Sequence, residues 1–403
     1  SGCRISGTGL PESFLRVGLE SLEPGIEVQM RCSQSGSRTG GIFVRLGLFV
    51  LVGILLSQPI LRAQNFSRFA AKGAGQGSLR PPGVTPAIEA TIKKGLTYLA
   101  RAQESDGSYG KSTWSTNVYP TAMTSLSGLA FLASGSTPTR GPYARNLQRI
   151  TKYLLNNCIG TYSYAPGLIA NVNAREQRPM YCHAFALTYL SQIFAQEKDP
   201  RQREAIRKVL QDGIKLTERS QTDEGGWGYS PNAYEDEGTL VVTQLQSLRA
   251  CRDVGIFVSK KVVEKGVKFI EKSTNTNGSV RYRINSYQVR PGVTCAAVVA
   301  LWNAGKYDEP LIRKITDYMH RNIDPQWGYG HHAEYVQYYL TQAKFVIGGK
   351  HWLPFYKQSA EMFIAEQALD GYWDGADGGE LYGTALALLC LQIPYNRLAV
   401  YQR

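Results

Sequence analysis

The sequence predicts an all-α protein, an (α/α)6 toroid of six helix-turn-helix repeats arranged as inner and outer helix rings. Three observations carry this. One phrase recurs along the chain: an amphipathic helix ends in Gln, then come an acidic or Gly-rich turn and an aromatic residue. The helices alternate between a kind with one apolar face and a kind apolar almost all round. The second kind runs for only about ten to fifteen residues, too short to span a bilayer and therefore surrounded by protein.

The first clear copy of the phrase runs Lys94-Gly95-Leu96-Thr97-Tyr98-Leu99, then Gln103, then Asp106-Gly107-Ser108-Tyr109-Gly110. The second is Gln221-Thr222-Asp223-Glu224-Gly225-Gly226-Trp227-Gly228-Tyr229. Looser copies end at Asn277-Gly278-Ser279, at Asp324-Pro325-Gln326-Trp327-Gly328-Tyr329-Gly330 and at Gln367-Ala368-Leu369-Asp370-Gly371-Tyr372-Trp373. With a degenerate copy near Gly160-Thr161-Tyr162-Ser163-Tyr164, the anchors between Gly107 and Gly371 fall at roughly fifty-residue steps, which makes six units. Lys261-Val262-Val263-Glu264-Lys265-Gly266-Val267-Lys268-Phe269-Ile270 is a helix with one wet face. Thr294-Cys295-Ala296-Ala297-Val298-Val299-Ala300-Leu301-Trp302 and Thr384-Ala385-Leu386-Ala387-Leu388-Leu389-Cys390-Leu391 are dry on every side. Wet and dry helices in alternation build an outer ring around an inner one.

Lys94-Gly95, Tyr98-Leu99, Gln103, Gly107 and Tyr109 follow the QW repeat of squalene and oxidosqualene cyclases, with Tyr where that motif has Trp, and Gln221, Gly225 and Trp227 match its second half. The chain thus resembles the terpenoid cyclase and protein prenyltransferase superfamily over roughly Pro86 to Tyr401. The resemblance implies the toroid and an exported, cyclase- or transferase-like protein that acts on or binds an isoprenoid or other lipid in a central cavity. Within the repeat the Gln ties down a helix end, the Gly lets the turn approach closely and the aromatic packs between neighbours. Such roles are structural, and fold does not settle function.

The chain has 403 residues, a formal charge of +13 and 43% hydrophobic residues, ample for one large core. Lys93, Lys94, Lys260, Lys261, Lys265 and Lys268 spread the positive charge over outer helices, which reads as a solvated face. An anionic membrane surface is the alternative partner. No nucleic-acid module is present, and no nucleic-acid partner is expected. The cysteines form no Cys-x-x-Cys pair, and Cys182, Cys251, Cys295 and Cys390 in dry helices read as buried free thiols.

Residues 1–29 are read as an uncertain extension. Within residues 30–63, the apolar run Leu46 to Leu56 follows Arg31, Arg38 and Arg45 and precedes Leu61-Arg62-Ala63, which reads as a signal peptide or an uncut N-terminal anchor. Residues 64–85 form a flexible linker, and the toroid spans 86–403. This order places the ring outside the cytoplasm.

In such a toroid, the N-termini of the inner helices meet at one end of the cavity. The residues before each dry helix are therefore the candidates: Tyr119, Cys182 and His183, then Glu235, Asp236 and Glu237, then Cys295, His331, His332, Tyr335 and Tyr382. Helix N-termini favour anions there. The three carboxylates, Asp236 first, are candidate catalytic acids in the position where the resemblance implies an Asp-x-Asp-Asp motif; the alternative is that they cap a helix. The resemblance to prenyltransferases also implies Asp236, Cys295 and His332 as ligands for Zn. Other rings of this architecture cleave polysaccharides with paired carboxylates or a His/Tyr pair, and the 24 Tyr and the acidic cluster permit a glycan ligand. A non-catalytic binding or scaffold ring is the remaining reading.

Overall fold

The computed structural model describes residues 80–402, apart from 111–118, 161–162, 328–331 and 376–377. The extension, the signal or anchor and most of the linker lie outside the described residues.

Among the described residues twelve α-helices follow one another: α1 (Pro86–Ala102), α2 (Pro120–Ala133), α3 (Ala144–Asn157), α4 (Pro179–Phe194), α5 (Pro200–Arg219), α6 (Gly238–Asp253), α7 (Lys260–Ser273), α8 (Pro291–Asn303), α9 (Pro310–Asn322), α10 (Ala333–Ile347), α11 (Trp352–Glu366) and α12 (Gly379–Gln392). Each even-numbered helix packs against the next even-numbered one, and α12 returns to α2, so the inner ring closes. The odd-numbered helices lie outside it. Among the described residues the only β-structure is isolated bridges. The fold is the (α/α)6 toroid.

The two kinds of helix differ as their sequences require. α1 buries Ile88, Ile92, Leu96 and Leu99, one stripe at helical spacing. α2 buries every residue except Met123, and α8 buries all but Pro291 and Trp302. Pro at the first turn starts α1, α2, α4, α5, α8 and α9, where its missing N–H costs nothing.

In three of the units the repeated phrase fastens its turn to the next outer helix. The Gln221 side-chain amide donates to Gly225 O in its own turn at 2.9 Å and to Val262 O of α7 at 2.9 Å. Gln103 does the same to Gly107 O and Asn146 O of α3, at 3.0 and 3.2 Å. Gln367 binds Gly371 O at 2.9 Å and Thr91 O of α1 at 3.0 Å, which latches the last unit onto the first. Gly225 has φ +97°, and a Cβ there would lie 2.4 Å from Lys265 O of α7. Only glycine satisfies both demands. The Trp227 and Trp373 indoles are buried and donate to Thr217 O and Phe363 O at 2.8 and 2.7 Å.

The second unit departs from the sequence reading. A Cβ on Gly160 would meet nothing within 4 Å, whereas one on Gly167 (φ +89°) would lie 2.3 Å from Asp212 O of α5. Gly167 therefore performs the anchoring that the aromatic spelling around Gly160 suggested for that stretch.

Candidate functional site

A cavity of about 350 Å³ opens at the end of the ring where the inner helices begin. The N-cap residues of all six inner helices line it: Tyr119, Arg178, Glu237, Arg290, His332 and Gly378. Three of them, Tyr119, Arg178 and Arg290, directly precede the proline that starts the helix. The residue three places into the helix also faces the cavity in α2, α4, α8 and α10, as Ala122, Tyr181, Val293 and Tyr335. That is one helical turn on the same face.

Glu237 is the one carboxylate in this lining among the described residues, and it is 2% exposed. Its side chain makes no capping bond to the α6 backbone. Instead its carboxylate accepts from the Tyr181 hydroxyl at 3.1 Å and from the Thr239 hydroxyl, with the Tyr282 hydroxyl close by. Burial first, and then the Glu237 charge, push the Tyr181 and Tyr282 phenols well above their usual range, so both remain hydrogen-bond donors. Tyr335 is held up in the same way by burial, and its hydroxyl reaches Thr239 O at 3.3 Å. Tyr119 and Tyr382 complete the aromatic wall, and His332 joins it from a left-handed backbone, φ +58°.

The other half of the wall was not foreseen. Tyr229 and Tyr282 share a hydroxyl–hydroxyl bond of 2.6 Å, and each carries a guanidinium on its face. Arg178 lies 4.6 Å from the Tyr229 ring centre and Arg290 lies 4.5 Å from that of Tyr282. Two sequence signals pointed to these four residues. Tyr229 and Tyr282 stand two places after the buried Trp227 and Val280 of the repeat turn, and the arginines precede first-turn prolines.

The remaining candidates lie elsewhere. Glu235 is exposed and paired with Arg283 at 2.6 Å. Asp236 accepts from the Thr222 hydroxyl beside the repeat turn, with its acidity weakened first by burial. Neither lines the cavity, because the chain bends at Tyr234 and Glu235 before it enters α6. Cys182 and His183 are fully buried and neither lines the cavity. His183 Nδ1 accepts from Ile169 N–H at 3.1 Å and its Nε2 meets the Thr217 hydroxyl at 3.0 Å, while burial lowers its pKa to about 3. That is a structural histidine. Cys295 is likewise buried away from the cavity, with burial pushing its thiol up. The expected Zn set of Asp236, Cys295 and His332 is therefore not assembled, and among the described residues no three potential ligands cluster. His331 lies outside the described residues.

No family model and no curated protein matches the chain. Solved structures do. A D-mannose isomerase superposes with a TM-score of 0.56 at 12% identity, covering 78% of this chain and 99% of its own. Cellobiose 2-epimerase from Bacillus thermoamylovorans B4167 gives 0.54 at 13%, covering 77% and 99%. A sugar epimerase from a ruminal bacterium gives 0.55 at 13%, covering 77% and 98%. At these identities the likeness establishes the toroid. It also corrects the terpenoid-cyclase and prenyltransferase expectation, because the fold matches run to sugar isomerases and epimerases. The cavity agrees with the correction. Two guanidiniums and six inward helix N-termini oppose a carbocation, and Asp236, the expected acid, faces away. Among the described residues no helix is long and apolar enough to cross a membrane, and the apolar run at Leu46 to Leu56 lies outside them.

Proposed function

We propose that the chain is carbohydrate-active: its cavity holds one or two sugar units, and Glu237 is the group that exchanges a proton with them. The observation that carries this is the single buried carboxylate set among donor hydroxyls in an aromatic cavity of about 350 Å³. Tyrosine faces stack on the C–H faces of a sugar ring, and phenol hydroxyls reach its hydroxyls. Glycosidase chemistry takes two carboxylates flanking the scissile bond, and the described lining offers one. One carboxylate suffices for proton transfer at the carbon beside an open-chain sugar's carbonyl. Glu237 takes that proton while a hydroxyl of the lining protonates the carbonyl oxygen, leaving an enediol. Return of the proton to the neighbouring carbon, as the other enediol hydroxyl gives its proton back to the lining, isomerises the sugar, and return to the original carbon after the enediol has turned its other face to Glu237 inverts it. The fold shared with a mannose isomerase and a cellobiose epimerase supports this class of reaction. Export, read from residues 30–63, is carried as part of the proposal.

The test is calorimetric titration with a panel of mono- and disaccharides, followed by proton NMR of the bound sugars in D2O. The parent should wash deuterium into the position beside the carbonyl. Glu237→Gln should bind within a few-fold of the parent but exchange about 10²- to 10⁴-fold more slowly. Glu235→Ala should match the parent in both. Equal exchange by Glu237→Gln and parent would remove Glu237 from the chemistry, and no binding across the panel would remove the saccharide site.

A further inference from the structure

The charge of the cavity goes further than its shape. Its described lining holds two guanidiniums, Arg178 and Arg290, against one carboxylate, so a positive charge is left over. Neither arginine is ion-paired, and the Glu237 charge acts on Arg178 only from beyond contact distance. Among the described residues no carboxylate lies within ion-pair distance of either, although Arg281, the third arginine on this flank, is spent on backbone carbonyls of α7 and Arg283 on Glu235. Arg178 has no hydrogen-bond acceptor among the described residues. Arg290 has one, Gln288 Oε1 at 3.3 Å, while its buried Nε has none. A buried donor of this kind costs free energy until a ligand supplies the acceptor.

Both guanidiniums are also oriented. Each sits over a tyrosine ring, 4.6 Å from the Tyr229 centre for Arg178 and 4.5 Å from that of Tyr282 for Arg290, and the two tyrosines are joined through their hydroxyls, which ties both guanidiniums to one stretch of the cavity wall. Planar forks of N–H donors match a carboxylate's two oxygens. The six helix N-termini add positive potential in the same direction.

We infer that the cavity is built for an acidic saccharide, a uronate whose carboxylate lies between Arg178 and Arg290 while its ring faces the tyrosines and Glu237. This rests on the saccharide reading above and names the substrate class of that site. Glu237 is the group that would repel such an anion, and it lies under hydroxyl donors that keep its oxygens occupied.

Calorimetric titration of the full chain with sodium glucuronate, its neutral methyl ester and glucose 6-sulfate tests the inference, with thermal unfolding to verify folding of each variant. Glucuronate should bind about 10- to 100-fold more tightly than the ester, a charged hydrogen bond's worth. Arg178→Gln and Arg290→Gln should each erase most of that preference, weakening glucuronate far more than the ester. Should either variant fail to fold, the parent alone decides: salt should weaken glucuronate binding and spare the ester. Equal affinity for acid and ester overturns the acidic assignment while the saccharide site stands. Tighter binding of glucose 6-sulfate than of glucuronate overturns the carboxylate form. If none of the three sugars nor any in the wider panel binds, the saccharide reading fails and takes this one with it.

Discussion

Gly225→Ala tests whether the repeat turns are pressed into the ring. Two costs act at this position. The backbone sits at φ +97°, where an L-residue pays roughly 1–2 kcal/mol, partly offset by the roughly 0.4–1 kcal/mol that alanine saves in the unfolded chain. The new Cβ would also lie 2.4 Å from Lys265 O and 2.8 Å from its carbonyl carbon, both backbone atoms of α7 that no rotamer change can clear. The turn must lift, stretching the Gln221 hydrogen bond to Val262 O that spans the same junction. Overpacking of this kind costs about 1–3 kcal/mol. Gly255→Ala is the control, because Gly255 has φ +84° and open space where the Cβ would go. The expected losses are therefore about 1 kcal/mol for Gly255→Ala and about 2–4 kcal/mol for Gly225→Ala. Thermal unfolding of both variants and the parent reads the difference, at roughly 2 °C per kcal/mol for a domain of this size. Equal destabilisation by the two alanines would refute the close approach and reduce the glycine to a backbone role.

Trp227→Ala removes a fully buried indole and its bond to Thr217 O, and should cost about 3–5 kcal/mol by denaturant unfolding without altering saccharide affinity, since Trp227 does not line the cavity. His183 supplies a pH signature. Its folded pKa of about 3 lies below the ordinary 6.5, so the unfolded chain takes up a proton first as pH falls. The stability held by neutral His183 is complete above pH 6.5 and declines toward pH 3 by about 1.4 kcal/mol per unit. The difference in stability between parent and His183→Gln should shrink with that slope across the window, and a pH-independent difference would mean that the ring takes up its proton equally readily in the folded and unfolded chain, so that burial does not hold it neutral.

The fold was legible because its signals are local. The wet and dry helices carry their environment in their composition, and the Gln, Gly and aromatic of each turn stand at fixed offsets. The second unit misled because Gly160 has aromatic neighbours and Gly167 does not, while the demand on the glycine comes from Asp212 O in another helix. The site was half legible for a similar reason. Which helix ends converge follows from the repeat, but which side chain turns inward depends on helical phase. At 100° per residue, Tyr181 and Phe185 face the cavity, and His183 is carried round to α5. Among Glu235, Asp236 and Glu237 the choice is made by a bend in the chain, which composition does not encode.

The repeat and the cavity answer to different constraints, and this is why a cyclase-like spelling and a sugar-isomerase-like fold meet in one chain. Gln103, Gly107, Tyr109, Gln221, Gly225 and Trp227 carry the resemblance, and none of them lines the cavity. Their partners are the carbonyls of α3, α5 and α7 and the hydroxyl of Thr124, all of which belong to the construction of the ring. The cavity is lined by residues the motif leaves open: the N-cap residue of each inner helix, the position one turn further on and, in two units, the residue two past the turn's buried side chain. A motif that specifies only the fastening can be kept while every chemical group is exchanged. In this chain those positions hold Arg178 and Arg290, whose charge repels the cationic intermediates of a cyclase, around the single carboxylate Glu237.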